Sequence, residues 1–346
     1  MQPAAATSET VGNVREYALL VVLAILWGAS YAFIRLGVAT IPPVTLIAAR
    51  TSIGGALLFA ILSARGRAMP ADAAMWQRFM FQALLNSVVP FTLIAWAEKT
   101  IEAGLATILC SASPIFTFVI TFAITRHEPV RLMKLFGIVA GIGGICLIVG
   151  VDALSGIGNA VVADLAIVAA TLCFAGAAIF GRGFGTLDPM VPATGSMLCG
   201  SAVLVPISLV ADRPWAIAPS ATSVAALMAL SVFSTAFAFA LYFRLVRTLG
   251  SIGVTAQAYL RVPVGVAIGV AFLGESLAPS VLIGLAGVVA GVAAMVVPVR
   301  AQSRRGGDNT QEQPARCSDV FTIRCRNGEA IQVIFSLDCC DREVMG

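Results

Sequence analysis

Charged side chains are scarce in this sequence, because Asp, Glu, Lys and Arg make up only 12% of its 346 residues. That is about half the share found in an average soluble domain. Hydrophobic residues reach 59%, and the mean hydropathy is +0.93. A soluble domain could not bury so much apolar surface, so the composition argues against a cytosolic enzyme and excludes a disordered chain. The remaining class is an all-α polytopic membrane protein.

The side chains of catalytic and metal sites are also few. His127 is the single histidine, so a Ser/His/Asp or Cys/His arrangement has no second supporting signal. The eight cysteines follow no zinc spacing, and four of them lie singly in apolar runs, where a thiol behaves as a small hydrophobic group. No stripe of basic residues is present. We therefore expect no enzymatic activity, no metal, no cofactor and no nucleic-acid partner.

Apolar runs of about 20 residues are long enough to cross a bilayer as helices. The sequence contains ten of them, separated by short connections rich in Pro, Gly, Asp and Arg. The split between the third and fourth runs is the least marked, since only Glu98, Lys99 and Glu102 interrupt them. The ten predicted spans are Tyr17–Val38, Val44–Ala64, Met75–Ala97, Gly104–Thr125, Leu132–Val151, Val161–Gly181, Val191–Ala211, Ala221–Phe243, Ile252–Leu273 and Pro279–Val299.

The placement of Lys and Arg predicts the orientation of these spans. With the N-terminus inside, 13 Lys or Arg residues fall on the inner side and only Lys99 and Arg213 on the outer side. Positive residues concentrate on the cytoplasmic side of membrane proteins. The sequence therefore predicts a multi-pass protein of the inner (plasma) membrane with both termini in the cytoplasm.

An internal similarity relates the two halves of the chain. The same order of glycine, proline and acid occurs twice, as Gly104, Pro114 and Glu128, and again as Gly253, Pro263 and Glu275. In each copy the proline follows the glycine by ten positions. The second copy begins five spans after the first, which is an odd number, so the copies have opposite orientations in the membrane. This pattern predicts two inverted five-helix repeats, residues 17–151 and 161–299, preceded by a cytoplasmic segment 1–16.

Inverted repeats are typical of secondary transporters, in which two similar halves exchange access to a site near the midplane. We therefore expect a secondary transporter that works by alternating access on a small-molecule substrate within the lipid bilayer. The alternative is a membrane-embedded binding or scaffold protein without transport.

Several of these motifs resemble one family. The residues Trp27-Gly28-Ala29-Ser30-Tyr31-Ala32-Phe33, then Pro42-Pro43 and Ala48-Ala49-Arg50, resemble the opening of EamA-type proteins of the drug/metabolite transporter superfamily. Ala103-Gly104-Leu105-Ala106, Tyr242-Phe243-Arg244 and Gly274-Glu275 resemble other recurring positions of that family. The resemblance implies ten helices, cytoplasmic termini and the export or uptake of small metabolites, and it leaves the substrate open. We expect an exporter of small polar metabolites such as amino acids or related compounds. His127-Glu128 departs from the usual Gly-Glu, and the tail after Arg316 has no counterpart.

Ionisable groups inside predicted spans indicate the candidate site, because each is costly in a bilayer. Arg261 lies in the ninth span, and Gln257 lies four residues earlier on the same helical face. Pro263 frees a backbone carbonyl beside them. We expect Arg261 and Gln257 to hold an anionic or zwitterionic group such as a carboxylate. The alternative is that Arg261 extends to the interface or pairs with another helix.

Other aromatic and polar residues in the spans complete the predicted substrate site, although each could equally serve helix packing. They are Tyr259, Asn86, Trp27, Tyr31, Ser111 and Ser113. Arg50 is expected to be structural and to pair with Glu98 or Glu102 near the outer ends of the helices. Glu128 and Glu275 are expected to cap or terminate helices rather than to bind protons.

Two further features leave alternatives open. Glycines of the fifth and tenth spans, such as Gly144 and Gly291, allow close helix approach or a homodimer face. The polar cytoplasmic tail 300–346 contains two alternating segments, 320–326 and 329–335, around Asn327-Gly328, which predict a β-hairpin with a two-residue turn.

Overall fold

The computed structural model describes residues 5–125, 136–137, 139–144, 146–147, 158–242, 244–245, 248, 257–275, 279–296, 316–324, 330–338 and 343–345. These residues divide into two compact units, Met1–Pro298 and Val299–Gly346. The first unit is helical, and the second contains strands. The predicted positions Glu128 and Gly253 lie outside the described residues.

The first half of the helical unit begins with two long helices. Its helices are α1 (Ala5–Val38), α2 (Pro43–Ala64), α3 (Ala73–Ala83), α4 (Val89–Ala97), α5 (Ala103–Cys110) and α6 (Ser113–Thr125), with a π-helical segment Leu84–Val88 joining α3 to α4. Asp72 caps α3, since its carboxylate accepts a hydrogen bond from the Ala74 N–H. The described residues between 136 and 147 are also helical.

The second half repeats the long apolar helices. Its helices are α7 (Gly158–Gly181), α8 (Met190–Ala211), α9 (Ala221–Ser231), α10 (Gln257–Leu273) and α11 (Pro279–Val296), with a π-helical segment Val232–Phe237 following α9. Short 3-10 turns, Arg182–Phe184 and Pro214–Ala216, follow α7 and α8.

Seven described segments are long and apolar enough to cross a membrane, and two shorter apolar helices follow in the second half. Their bounds agree with the predicted spans to within a few residues, and a break at residues 98–102 separates the third span from the fourth. An all-helical membrane unit is thereby confirmed, whereas the count of ten spans stays a prediction. Much of the fifth predicted span, Leu132–Val151, lies outside the described residues.

Helices α2 and α8 pack against each other in antiparallel orientation. At one end the Thr45 hydroxyl donates to the Asp212 carboxylate (2.8 Å). At the middle the hydroxyls of Ser52 and Ser201 lie 2.6 Å apart. At the other end Arg65 contacts Met190. Because α2 and α8 occupy equivalent places in the two halves, this pairing is that of an inverted repeat.

The two π-helical segments occupy matching positions as well. Segment Leu84–Val88 follows α3, and segment Val232–Phe237 follows α9. The last residue of the second segment lies 149 positions after the last residue of the first. The same spacing of 149 separates Ser52 from Ser201. A π-helical segment holds one residue more than the α-helix it interrupts and often occurs at functional sites. The two halves of the helical unit are therefore similar in local backbone geometry as well as in the order of their helices.

Glycines of the fifth and tenth spans pack against each other within the chain. A methyl group on Gly144 would lie 2.6 Å from the Gly284 carbonyl oxygen, and one on Gly287 would lie 3.1 Å from that of Ala140. These small residues therefore allow two helices of the same chain to approach closely, which was one of the two roles expected for them. A homodimer stays a prediction.

Glu275 links the two halves at one end of the unit. Gly274 has a positive φ of 66° and ends α10, so that the next residue turns back. The Glu275 carboxylate then accepts hydrogen bonds from the N–H groups of Ala103 (2.7 Å) and Gly104 (2.9 Å), the first residues of α5. A carboxylate is favourable there because the helix N-terminus has unpaired N–H groups and a positive dipole end. Glu275 thus caps a helix of the other half.

The second unit contains a three-stranded antiparallel sheet in the order β1 (Arg316–Arg324), β2 (Ala330–Asp338) and β3 (Glu343–Met345). Strand β1 pairs with β2 through Ile323 and Ile331. This register is offset by one residue from the register that a two-residue Asn327-Gly328 turn requires.

Candidate functional site

A cavity of about 650 Å³ lies inside the helical unit. Its wall combines residues of both halves, most of them aromatic or small, with a few polar groups. The lining residues are Trp27, Ser30, Tyr31, Ile34, Arg50, Gln82, Asn86, Phe91, Ile94, Cys110, Ser113, Phe174, Ala177, Ala178, Gly181, Arg182, Phe184, Gly185, Leu187, Pro189, Pro192, Ala193, Ser196, Phe239, Tyr242 and Arg261. A cavity of this size and composition suits a small metabolite.

An aromatic cluster forms one wall of the cavity. The Trp27 ring lies edge-on to Phe239, with centroids 5.9 Å apart, and tilted against Tyr242 at 5.4 Å. Such pairs are favourable and hold the rings in fixed orientations. On another wall Phe91 packs against Phe174 at 6.1 Å. The cavity therefore has rigid apolar walls around its polar groups.

Arg50 is fixed inside this cavity by partners from two other helices. Its side chain is buried, and its Nε donates to the Thr235 hydroxyl at 3.0 Å. Its guanidinium lies over the Phe91 ring, 3.9 Å from the centroid, which is a cation–π geometry. Gly54 allows the approach, because a methyl group there would lie 2.7 Å from Thr235. Thr235 belongs to the second π-helical segment.

Arg261 enters the cavity from α10. Its Nε is buried and makes no hydrogen bond. A buried donor without an acceptor is costly, so an acceptor on a ligand would stabilise it. Gly28 positions α10 here, since a methyl group on Gly28 would lie 3.1 Å from the Arg261 carbonyl oxygen. The close crossing of α1 and α10 thus determines where the Arg261 guanidinium lies.

Asn86 lines the cavity from the first π-helical segment. Pro90 follows it by four residues and has no N–H, so the Asn86 carbonyl lacks its α-helical donor. A similar break occurs inside the fourth span, where α5 ends at Cys110 and α6 begins at Ser113. Pro114 there deprives the Cys110 carbonyl of its donor in the same way. Interrupted helices beside a binding cavity are typical of transporters.

The charged groups in the described lining of the cavity are all positive. They are Arg50, Arg182 and Arg261, and no Asp or Glu side chain is among the described lining residues. Since like charges in an apolar cavity raise the local potential, this arrangement favours an anionic group such as a carboxylate and disfavours a cation.

The cavity opens at one end of the unit. Arg182 and Gly185, in the connection between α7 and α8, are exposed and line its mouth. We call this the Arg182 end, and it also holds Arg65 and Met190. None of the described residues in the connections 39–42, 98–102 and 212–220 lines the cavity. These three connections lie at the opposite end, which we call the Glu98 end.

Contacts between the halves close the Glu98 end. Glu275 caps α5 there, as described above, and the Ser223 hydroxyl donates to the Leu36 carbonyl at 2.8 Å. Within the first half, the Arg35 guanidinium donates to the Glu98 carbonyl oxygen at the same end. Ile34 and Ile94 are buried and line the cavity below these contacts. The structure is therefore open toward the Arg182 end and closed at the Glu98 end.

Most of the site residues expected from the sequence face this cavity. Arg261, Asn86, Trp27, Tyr31 and Ser113 line it. The remaining three do not enter the described lining. Ser111 is buried, and its hydroxyl donates to the Ile108 carbonyl at 2.6 Å. Gln257 and Tyr259 begin α10, but their side chains lie outside the described part of the chain.

Arg50 is the residue that the sequence analysis placed differently. It was expected to pair with Glu98 or Glu102. In the structure it lies near Glu98, but its Nε hydrogen bond goes to Thr235 and its guanidinium lies over the Phe91 ring. Its position in an apolar span was a visible signal, because a charged group there faces either a partner or a cavity. Whether Arg50 faces a partner or the cavity depends on the rotation of α2 about its axis. That rotation brings Gly54 against Thr235 of the second half.

Comparison with known proteins now identifies the family. The model of the EamA-like transporter family matches residues 14–150 and again residues 161–297. The chain belongs to the EamA-like transporter family. The two matches confirm the two-repeat architecture, and EamA-like transporters are membrane proteins that carry out transport.

Curated relatives of this EamA-like chain are similar along most of their length. The uncharacterized inner membrane transporter YedA of Escherichia coli K12 is 26% identical over 261 residues, which cover 75% of this chain and 84% of YedA. The uncharacterized transporter YvbV of Bacillus subtilis is 24% identical over 291 residues, covering 83% and 93%. The relatives thus support a membrane transporter.

Two further similarities concern the fold and a short segment. A solved structure described as a crystal structure of a protein has a TM-score of 0.56 and 19% identity, covering 81% of this chain and 96% of that one, so the two share a fold. A stretch of 50 residues is 44% identical to transposase InsD for insertion element IS2D of Escherichia coli K12 and covers 17% of it.

Proposed function

We propose that this protein is a secondary transporter that exports small polar metabolites bearing a carboxylate, such as amino acids, across the inner membrane. The observation that carries the proposal is a cavity between two inverted repeats in which the described charged lining residues are arginines. Arg261 and Arg50 bind the carboxylate, and the aromatic wall around Trp27 packs against the rest of the substrate.

The unpaired Nε of Arg261 supports this assignment of roles. A carboxylate supplies two oxygens that match the planar guanidinium, which makes Arg better suited than Lys to such a site. Arg50 is already oriented by Thr235 and Phe91. Orientation before binding reduces the entropy lost when the ligand binds. For a zwitterion, the freed carbonyls of Asn86 and Cys110 are acceptors for the ammonium group.

Alternating access is supported by the difference between the two ends. The cavity is open at the Arg182 end, and hydrogen bonds between the halves close the Glu98 end. In an inverted repeat each half can adopt the conformation of the other, which exchanges the open end for the closed one. The proposed orientation puts the Arg182 end, with its additional basic residues, in the cytoplasm. Substrate then enters from the cytoplasm and leaves outside.

A ligand screen followed by a flux measurement tests this function. Purified protein is heated with a panel of amino acids, other carboxylates and matched amines, since a ligand that binds the folded state raises its melting temperature. We expect carboxylates to stabilise the protein and amines lacking a carboxylate to have no effect. The stabilising compound is then loaded into proteoliposomes, and its flux is compared with that of empty liposomes.

Variants of Arg261 locate the binding site. Loss of a charge-assisted hydrogen bond costs about 1.5–3 kcal/mol, so Arg261→Ala should weaken binding about 10–100-fold, and Arg261→Lys should recover part of it. Arg213→Asn is the matched control, because Arg213 is exposed at the Glu98 end and Asn tolerates its positive φ of 49°. Stabilisation without flux would support the alternative of a binding or scaffold protein. Unchanged binding by both Arg261 variants would overturn the site.

A further inference from the structure

Glu98 has an unusual environment for a carboxyl group. It follows α4 in the connection between two spans, and its side chain is fully buried. Neither carboxyl oxygen makes a hydrogen bond. A buried carboxylate without hydrogen-bond donors is strongly destabilised, whereas a neutral carboxylic acid is not. The geometry therefore fits the protonated form of this side chain.

In the described part of the chain, the charged and titratable groups near Glu98 lie on several helices. Arg35 and Tyr31 lie on α1, Arg50 on α2, Cys110 on α5, and Glu275 follows α10. Burial raises the pKa of Glu98 well above its usual range. The positive charge of Arg35 lowers that pKa, the negative charge of Glu275 raises it, and the positive charge of Arg50 lowers it.

Glu98 lies beside the contacts that close its end of the cavity. Its own backbone carbonyl accepts the hydrogen bond from Arg35. The Glu275 carboxylate, which caps α5 by two hydrogen bonds, is close enough to repel a charge on Glu98. An ionised Glu98 would place two negative charges in one buried region, so ionisation opposes closure and proton binding favours it.

We propose that Glu98 is a proton-binding site that couples transport to protons, because protonation of its carboxyl group stabilises the closed Glu98 end and ionisation favours the opening of that end. The proposal rests on the proposed function and adds the coupling ion to it. A proton from outside converts the exposed carboxylate to a carboxylic acid, and the end closes. After the exchange of open ends, the acid lies near Tyr31, Arg50 and Cys110, which line the cavity, and the proton leaves toward the Arg182 end. The ionised Glu98 then destabilises the closed end, which opens again as the substrate crosses, so protons enter as substrate leaves.

The direction of the pH dependence follows from the different pKa values of Glu98 in the two conformers. The closed conformer has the raised pKa, so it binds the proton more tightly than the conformer whose Glu98 end is open to water. At low pH the closed conformer is fully stabilised. As the pH rises through the Glu98 pKa of the closed conformer, that stabilisation is lost. The ratio of open to closed conformers then increases in total about tenfold for each unit by which the two pKa values differ.

Labelling of a buried cysteine at the Glu98 end measures this population without any substrate. Ile101 is buried in the connection 98–102 and does not line the cavity, so Ile101→Cys reacts with a maleimide only when this end opens. The full chain is used, with its eight native cysteines replaced. Thr100→Cys is exposed and corrects for the intrinsic pH dependence of thiol reactivity. Labelling is followed from about pH 5 to about pH 9, a range that covers a strongly raised carboxyl pKa.

We expect the corrected labelling rate to rise with pH in the parent and to stay low and constant in Glu98→Gln, which retains the neutral form. Glu102→Gln removes the neighbouring acid and should keep the rise. Glu98→Asp keeps a titratable group and should also show a rise, which guards against loss of folding in the Gln variant. Infrared spectroscopy should detect a protonated carboxyl band at low pH that Glu98→Gln lacks.

A parent rate independent of pH, a rise that persists in Glu98→Gln, or a missing carboxyl band would each overturn the proton site. Because no substrate takes part, these results are independent of the flux assay. If the protein shows no flux in proteoliposomes but its Ile101→Cys labelling rate rises with pH, the proposed function is contradicted and the proton site is not.

Discussion

The hydroxyl groups of Ser52 and Ser201 meet at 2.6 Å, and the two residues are 149 positions apart in the chain. Gly104 and Gly253 have the same separation in sequence. Equivalent positions of two repeats can touch only on the axis that relates them. The α2–α8 crossing therefore marks the pseudo-twofold axis of the protein, and a short serine–serine contact lies on it.

An engineered disulfide tests this axis. We expect the pair Ser52→Cys and Ser201→Cys to oxidise readily, because the side-chain atoms already lie close together and a disulfide needs neighbouring Cβ atoms. The linked peptides are detected by mass spectrometry after proteolysis. The pair Ser52→Cys and Ser208→Cys is the control, since Ser208 lies seven residues along α8, about 10 Å away. Equal cross-linking of both pairs would argue against the observed register of α2 on α8.

Thr235 is expected to orient Arg50 for binding. Thr235→Val keeps the shape of the side chain but removes the hydroxyl that accepts the Arg50 Nε hydrogen bond. Such a bond contributes about 1 kcal/mol, so ligand affinity should fall about fivefold to tenfold. Thr235→Ser keeps the hydroxyl and should bind normally. Isothermal titration with the carboxylate found in the screen measures the difference, and equal affinity of both variants would remove Thr235 from the site.

Gly269 provides the space for the Glu275 cap. A methyl group at this position would collide with the Glu275 carboxylate and lie 3.4 Å from the Gly104 nitrogen. Gly269→Ala should therefore displace the cap and destabilise the protein by about 1–3 kcal/mol. Thermal unfolding in detergent measures the change.

Gly143 offers a matched control for that variant. No atom lies within 4 Å of a methyl group built on Gly143, and alanine is the better helix former by about 0.5–1 kcal/mol. Gly143→Ala should thus leave the melting temperature unchanged or raise it. A Gly269→Ala protein as stable as the parent would show that the cap adds little to stability.

The tail is expected to be dispensable for transport. The two compact units divide at Pro298, and the family matches end at residue 297. A chain that stops after Pro298 should retain ligand stabilisation and proteoliposome flux at the level of the full chain. Loss of flux in a truncated protein that still binds its ligand would assign a transport role to the tail.

The sequence predicted the helical unit well because its signals are local or repeated. Apolar runs set the spans, and the order of glycine, proline and acid revealed the two copies. The break between the third and fourth spans was marked by three charged residues alone, and the structure places the connection there. These features depend on distance along the chain, which a sequence displays directly.

The features that the sequence did not predict depend on contacts between helices. Arg50 faces the cavity because Gly54 packs against Thr235, and nothing adjacent to Arg50 encodes that rotation. Ser113 lines the cavity and Ser111 does not, because a helix break falls between them. Glu275 was expected to cap or terminate a helix, but that the capped helix is α5 of the other half follows from the turn at Gly274. Partners this distant in sequence were not visible without an alignment or a structure.

The serine pair on the axis has a mechanical consequence. When two rigid bodies tilt about a line, atoms on that line hardly move and displacement grows with distance from it. From Ser52 to Arg65, α2 extends about 20 Å, so a tilt of about 15°, comparable to known rotations between rigid bodies, would shift its far end by about 5 Å. In the proposed alternating-access cycle, Ser52 and Ser201 would remain hydrogen-bonded, while the two ends of the cavity would widen and narrow by more than the diameter of a water molecule.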